Sequence, residues 1–392
     1  MTIEVRSATS VTGAAKRRRA RAPDLDKQVF QCNSLKELAL DAYSDQQRFL
    51  KLTVERQAEA NQHLEKENAL LKEMVVQQFW NPQSFIDKDE KFKFLTGIEL
   101  GVFQALDDYL DRNYTSLYLK HGKQRKIHEQ PSSVKLGRPR ALSYQAELFL
   151  VLIKLRHGLK DDLLAILFGL SSKSQVSSIF TTWVPHLVHE LGPLLRWPSV
   201  EAVQRHLPDN FKRSVTYRKC RVILDCFEAQ VEKPSSFSAN SMMYSNYKSR
   251  TTYKVLTGVT PDGYISFVSD AYPGSISDPA IVRESKVLEK LQAGDGIMAD
   301  KGFTLTATDL QPRGLHLVLP PFKTGNLPMK KNEVQQTKEI ANRRIVVENA
   351  IGRMRHYDIL NTVLPASVLQ SQIVSDMVKV VAILANFQSA LR

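Results

Sequence analysis

Three acidic residues have the setting that a two-cation phosphodiester site requires. Asp225 and Asp300 each end a short apolar run that predicts a strand, and Glu348 lies in the basic segment 343–353, which predicts a helix. Carboxylate oxygens are the preferred ligands of hard cations such as Mg²⁺. Two such cations about 4 Å apart can activate an attacking oxygen and stabilise a leaving oxygen during in-line displacement. We therefore expect Asp225, Asp300 and Glu348 to be catalytic residues that bind two Mg²⁺ or Mn²⁺ ions.

Other charged residues near these acids have two interpretations. Arg344 lies four residues before Glu348 on the predicted helix, so it either neutralises a DNA phosphate near the cations or forms an ordinary i,i+4 ion pair. Asp278 precedes a proline that suits the start of a helix, and it either supports the acidic site or caps that helix. The local sequence favours the cap, because Asp is preferred at that position and Pro directly after it.

The charge balance indicates an anionic partner. The 392 residues carry a formal net charge of +13, which favours nucleic acid or an acidic membrane surface. No apolar run approaches the roughly 18 residues of a spanning helix. We therefore expect double-stranded DNA as the partner and no membrane association.

The N-terminal part of the chain predicts a tail followed by a long helix. Residues 1–33 have no apolar period and predict a disordered basic tail, whose run Lys16 to Arg21 is either a nuclear localisation signal, a nucleic-acid arm or a solvated segment. We favour import into the nucleus. Residues 34–80 predict a coiled-coil helix that forms a dimer, against a helix packed on its own chain. The heptad positions are Leu50, Val54, Gln57, Asn61, Leu64, Asn68, Leu71 and Val75.

The middle of the chain predicts an all-α DNA-binding region. Residues 81–141 form a small helical segment and a basic linker in which Arg138 and Arg140 flank a proline, a pattern that suits a narrow minor groove or a charged linker. Residues 142–200 predict three helices with a Gly-containing turn, typical of a helix-turn-helix domain. A plain three-helix bundle is the alternative. The third helix opens with Lys173, Ser174 and Gln175, whose side chains suit phosphates and base edges.

Residues 213–392 change to strand patterns and predict an α/β domain. A strand ends at Asp225, a hairpin turns at residues 260–263, a helix covers 279–291, and another strand ends at Asp300. Three antiparallel strands, a helix, two further strands and a final helix are the order of an RNase H-like core. In such a sheet Asp225 and Asp300 lie at adjacent strand ends, and Glu348 reaches in from a later helix.

Residues 213–388 resemble the DDE endonuclease domain of PIF/Harbinger-type eukaryotic transposases, and residues 142–185 resemble the helix-turn-helix before it. The matching segments are VILDCFE at 222–228, YK at 247–248, YPGSISD at 272–278, ADKGF at 299–303, PPF at 320–322 and VVENAIGR at 346–353. The resemblance implies an RNase H-like DDE endonuclease with Asp225, Asp300 and Glu348 as its triad. It also implies cleavage of transposon ends, joining of 3′-ends to target DNA, and a homodimer or higher oligomer.

Three other functions stay open at this point. The chain is either such a transposase or a domesticated DNA-binding protein that no longer cuts, a coiled-coil scaffold, or a nuclease acting on RNA hybrids. The retained acids favour an enzyme over the first two, and the helix-turn-helix favours duplex DNA over the third. Whether a helper DNA-binding protein supplies end recognition is also open.

Overall fold

A computed structural model describes residues 44–68, 80–111, 140–322, 329–365 and 371–388. The chain divides into two compact units, residues 1–72 and 73–392. The expected basic tail, the linker residue Arg138 and the heptad positions Leu71 and Val75 lie outside the described residues.

The described part of the first unit is one helix, α1, over residues 44–68. All of its side chains are exposed, including those of Leu50, Val54 and Leu64 on the heptad seam. The predicted helix is therefore confirmed over these residues, while the coiled-coil dimer stays a prediction.

The second unit begins with a helical layer. The chain forms helices where small polar residues cap the N-termini and glycines end them: Ser143 Oγ accepts the Ala146 N–H at 3.2 Å, and Gly158 ends the same helix at a φ of 60°. The helices predicted on both sides of the 169–171 turn are confirmed. They are α2 (Asp89–Thr96), α3 (Leu100–Asp111), α4 (Tyr144–His157), α5 (Asp161–Leu167), α6 (Lys173–Leu191), α7 (Val200–His206) and α8 (Asp209–Lys212), with 3₁₀ turns at Pro82–Phe85 and Gly192–Leu194.

A seven-stranded sheet follows, in the order β2-β3-β1-β6-β7, with β4 and β5 also paired to β3. β1 is central: it pairs antiparallel with β3 and parallel with β6, and β7 is parallel to β6. The predicted hairpin is confirmed as β3 and β4. The strands are β1 (Cys220–Gln230), β2 (Tyr244–Ser245), β3 (Arg250–Val259), β4 (Ile265–Val268), β5 (Tyr272–Pro273), β6 (Gly296–Met298) and β7 (His316–Val318).

The helices among and after the strands correct one prediction. The expected helix over residues 279–291 is two pieces, because the chain leaves the helix at Lys286, where φ is 57°, and the break lets Val287 and Leu288 both be buried. In the described segments, no helix is long and apolar enough to cross a bilayer. The helices are α9 (Phe237–Met243), α10 (Asp278–Glu284), α11 (Ala307–Leu310), α12 (Lys331–Arg355) and α13 (Ser371–Asn386), with 3₁₀ turns at Val287–Lys290, Gln311–Arg313 and Asp358–Leu360.

The two faces of the sheet are buried against different helices. On β1, Ile223 and Phe227 face a large core that includes α4, α6, α12 and α13, whereas Val222 and Leu224 face a smaller core that includes α10. The helical layer and one face of the sheet therefore share a single apolar core. Because interiors are close-packed, α6 is held at a defined position relative to the strands.

Candidate active site

The central strand and its parallel neighbour bring two of the predicted acids together. Ile223 on β1 is in register with Met298 on β6, and Asp225 and Asp300 each lie two residues further along. The prediction that Asp225 ends a strand is wrong, because Asp225 lies in the middle of β1. The strand continues to Gln230 because β3 stays paired to it beyond the point where the shorter β6 ends. Asp225 therefore lies just beyond the end of β6, where the chain continues to Asp300.

Arg344 on α12 joins the three acids. Its Nη2 lies 3.6 Å from Asp225 Oδ2, and its Nη1 lies 3.3 Å from Asp300 Oδ1 and 3.9 Å from Glu348 Oε1. The contact with Glu348 is the longest, so the i,i+4 pair alone does not describe Arg344. The guanidinium is a shared counter-ion for carboxylates from three separate elements.

Burial differs strongly among these groups. The Arg344 side chain is 11% exposed, Asp225 24%, Asp300 54% and Glu348 56%. Arg344 Nε is buried and has no hydrogen-bond partner among the described residues. A buried donor without a partner costs free energy, so this contact geometry does not satisfy the whole guanidinium.

The carboxyl group of Asp225 is strongly affected by burial. Burial raises the pKa of Asp225 to about 6, Arg344 and the Cys226 N–H oppose the rise, and the charges of Asp300 and Glu348 add to it. The Cys226 N–H donates to Asp225 Oδ1 at 2.8 Å. A carboxylate in this setting gains from a nearby positive charge, which Arg344 supplies here.

The chemistry of the donor set suits a divalent cation, since all three acids offer carboxylate oxygens. In the arrangement seen here, the described residues contain no group of three or more His, Cys, Asp or Glu side chains placed to hold a metal ion. Arg344 stands between the carboxylates instead. The same three residues can therefore ligate cations only if the guanidinium gives up these contacts.

A second charged cluster lies on the opposite face of β1. Lys254 Nζ is 2.6 Å from Asp278 Oδ1 and donates to the Ile276 carbonyl. The expected N-cap at Asp278 is wrong: Ser277 Oγ accepts the Ala280 N–H, and Asp278 is the first helical residue. The reason is that the carboxylate is drawn to Lys254, which local sequence does not reveal.

Asp278 also supports the segment that carries Asp300. A Cβ added to Gly302 would lie 2.4 Å from Asp278 Oδ2, so the carboxylate packs directly on the backbone two residues after Asp300. Sequence reasoning missed Lys254 and Gly302 as parts of the site. The one sequence signal for these contacts was a glycine two residues after Asp300.

The predicted DNA-contact residues are dispersed: Lys173, Ser174 and Gln175 lie in the first turn of α6, Arg140 lies shortly before α4, and Arg344 lies among the acids. Lys173 Nζ is 3.7 Å from Asp162 Oδ2, Ser174 is exposed, and Gln175 Oε1 accepts bonds from the Ser171 N–H and hydroxyl. Arg140 Nη1 contacts the buried Glu147 Oε2 at 2.5 Å. Beyond this first turn, most of α6 is buried or half-buried.

Comparison with known families agrees with this layout. Residues 224–386 match the family described as DDE superfamily endonuclease, and residues 140–193 match the helix-turn-helix of DDE superfamily endonuclease. This chain carries a DDE superfamily endonuclease domain preceded by its helix-turn-helix. The endonuclease match includes all three acids and Arg344, and the helix-turn-helix match includes α4, α5 and α6.

The expected superfamily is thereby confirmed, and the PIF/Harbinger subtype stays a prediction. No curated protein matches the chain.

Proposed function

We propose that the chain is a metal-dependent DNA endonuclease of the transposase type, which cuts phosphodiester bonds and joins 3′-ends to target DNA. The observation that carries the proposal is the convergence of Asp225, Asp300 and Glu348 on one guanidinium inside a DDE superfamily endonuclease domain. Asp225 lies on β1, Asp300 follows β6, and Glu348 lies on α12. These three elements are far apart in sequence. Acids that serve only as surface charges have no reason to converge in this way.

An RNase H-like fold is part of the proposal. The strand order supports it, since a central β1 has antiparallel β3 and then β4 on one side and parallel β6 and then β7 on the other. Such a sheet brings the residues that follow the inner parallel strand next to the middle of β1, which is where Asp225 and Asp300 lie.

Asp225, Asp300 and Glu348 are the residues that would hold two Mg²⁺ or Mn²⁺ ions. Bound there, the ions would supply Lewis-acid stabilisation of charge on the attacking and leaving oxygens. Arg344 gives up its carboxylate contacts in that state, and its guanidinium becomes available to a DNA phosphate, an acceptor that it can bind bidentately. The two interpretations of Arg344 from the sequence then describe two states of one side chain.

Duplex DNA, at transposon ends and at the target, is the proposed substrate. The first turn of α6, with Lys173, Ser174 and Gln175, supplies base and phosphate contacts. Arg138 is the proposed minor-groove contact, which Arg140 joins only when it leaves Glu147. Since α6 packs on α13 within the core shared with the sheet, binding at this turn positions DNA relative to the acids. The proposal also includes dimerisation through α1 and a larger oligomer that handles paired DNA ends. It further includes action in the nucleus and a helper DNA-binding protein.

Cleavage of supercoiled plasmid and of transposon-end duplexes tests the proposal. Wild type is compared with Asp300→Ala and with Glu289→Ala, a matched loss of an exposed acid elsewhere in the same domain. We expect Mg²⁺-dependent nicking by wild type and Glu289→Ala, and retained DNA binding without nicking by Asp300→Ala. Equal nicking by Asp300→Ala would refute the assignment of the acids. DNA binding with no cleavage by any variant, in Mg²⁺ or Mn²⁺, would favour the domesticated DNA-binding protein.

A further inference from the structure

The connection from β1 to β3 has a composition of its own. Residues 233–250 contain Lys233, Lys248 and Arg250 but no Asp or Glu, and of their five large apolar or aromatic side chains Met243 is buried and four are exposed. The four exposed ones are Phe237, Met242, Tyr244 and Tyr247. The segment forms α9, β2 and the turn before β3, and we call it the β1–β3 connection.

Two rings of this connection stand out in solvent. Phe237 is 88% exposed and Tyr247 is 85% exposed, more than any other large apolar side chain among the described residues. A single exposed apolar residue needs no explanation, but several together with a polar rim indicate a binding surface. Neither ring contributes to either apolar core.

The connection is held firmly although its rings are exposed. Ser245 Oγ donates to Glu228 Oε1 at 3.1 Å and accepts the Lys248 N–H at 3.2 Å. Arg250 donates to the Lys248 carbonyl at 3.3 Å and to Gln230 Oε1 at 2.9 Å. The turn that presents Tyr247 is therefore tied to β1 itself at two points.

Those two points place the connection further along the strand that carries Asp225. Glu228 and Gln230 follow Asp225 by three and five residues on the same strand, which corresponds to about 10 and 17 Å at about 3.3 Å per residue. The side chains of Glu228 and Gln230 lie on the face of β1 opposite to Asp225, so these spacings measure distance along the strand, and a DNA strand that reaches both places passes around the edge of the sheet.

The charges around the rings indicate a nucleotide rather than an apolar partner. Lys248 Nζ lies over one face of the Tyr247 ring, 4.7 Å from its centre, and since Tyr247 is 85% exposed, the other face is open to a base whose phosphate the same cation attracts. Beside it is a cavity of about 330 Å³ whose lining includes Tyr244 and Asn240. The charged residues that line this cavity are two cations, Lys233 and Arg250, and one anion, Glu232.

We propose that the β1–β3 connection binds unpaired nucleobases of the DNA that flanks the bond cut at the acidic site, with Phe237 and Tyr247 as stacking surfaces. The bases must be unpaired, because pairing in a duplex keeps both of their faces stacked. This inference rests on the proposed DNA endonuclease function and adds the state of the DNA beside the cut.

Binding of fluorescent oligonucleotides, followed by anisotropy in EDTA so that no DNA is cut, tests it. The probes are a 25-base-pair blunt duplex, the same duplex with a five-nucleotide unpaired flank, and a 25-nucleotide single strand. Full-length wild type is compared with Phe237→Ala, Tyr247→Ala, the double variant and Tyr247→Phe. Phe94→Ala, which removes a ring that is 66% exposed on α2, is the matched control. Thermal melting verifies that each variant is folded, which the exposure of these rings favours.

We expect wild type to prefer the flanked duplex to the blunt one. Each ring-to-Ala change should weaken binding of the flanked probe at least about 5-fold, the lower end for one stacked base, and leave the blunt duplex within about 2-fold. Tyr247→Phe and Phe94→Ala should match wild type on every probe. This pattern would support the inference.

Three results would overturn it. Equal losses on flanked and blunt probes would make the connection a duplex-backbone surface. Unchanged binding by the double variant, while wild type binds and cuts DNA, would refute the nucleobase-binding role of the β1–β3 connection. The proposed endonuclease function would be unaffected. A wild type that binds none of the probes would remove both proposals.

Discussion

Replacing Arg344 with methionine should tighten cation binding at the acidic site. Arg344 lies 3.3 to 3.9 Å from an oxygen of each acid, so any cation that the carboxylates bind must compete with it. Methionine is similar in length and apolar, and it removes both the charge and the buried Nε that has no hydrogen-bond partner among the described residues. The acids themselves are untouched.

The size of the effect follows from the distances. A cation bound about 2.1 Å from a carboxylate oxygen lies about 5 Å from the guanidinium nitrogens. At that separation a divalent cation and a unit charge repel by about 1.7 kcal/mol in the dielectric of water, or about 0.9 kcal/mol when screened at physiological salt. The high dielectric is appropriate because Asp300 and Glu348 are more than half exposed. The Kd for Mn²⁺ should therefore fall about 5- to 16-fold in Arg344→Met.

Titration of full-length protein with Mn²⁺, with free ion measured by electron paramagnetic resonance at pH 7.5, checks this without any need for activity. Lys338→Met removes an exposed cation from the same helix and is the matched control, with an expected change below about 2-fold. Asp300→Asn should bind Mn²⁺ more weakly than wild type. An Arg344→Met protein that binds Mn²⁺ no better than wild type would refute the reasoning that the guanidinium and the cations compete for one place.

Three further changes test the supports of the site and the fold. Gly302→Ala puts a Cβ 2.4 Å from Asp278 Oδ2, so the carboxylate should turn away, the Asp300 segment should lose its support, and the cleavage rate should fall by up to about 10-fold; wild-type rates on the same plasmid would contradict this. Gly97→Ala meets a positive φ of 81° and the Tyr357 ring at 2.7 to 2.9 Å, and calorimetry should show a loss of at least about 2 kcal/mol in unfolding free energy. Burial raises the pKa of Glu147, so the folded state binds its proton more tightly and this group's contribution to stability falls as pH rises from about 4 through its folded pKa. Glu147→Gln should abolish that part of the pH dependence in urea unfolding, and identical pH profiles would show that the carboxyl does not titrate with folding.

Much of the architecture followed from periodicity and turn chemistry. The helices α4, α5 and α6 and the β3–β4 hairpin lie where apolar spacing, Ser143, Gly169 and the 260–263 turn place them. These signals are local, since caps and turns act within a few residues. They fail where a distant partner intervenes, as at Lys286, where burial of two later residues breaks a helix that the sequence pattern continues.

The sequence alone singled out the three acids as candidates, because each has an unusual neighbourhood: two end apolar runs, and one lies in a basic helix. It also determined the charge that favours DNA. Tertiary structure decided what stands between the acids and what supports them. Arg344 meets Asp225 and Asp300 only because the register of β1 with β6 and the packing of α12 bring three distant segments to one point. Lys254 draws Asp278 out of the capping role that local sequence favours. Contacts of this kind depend on strand register and on which face each side chain occupies, and neither is encoded within a short window of sequence.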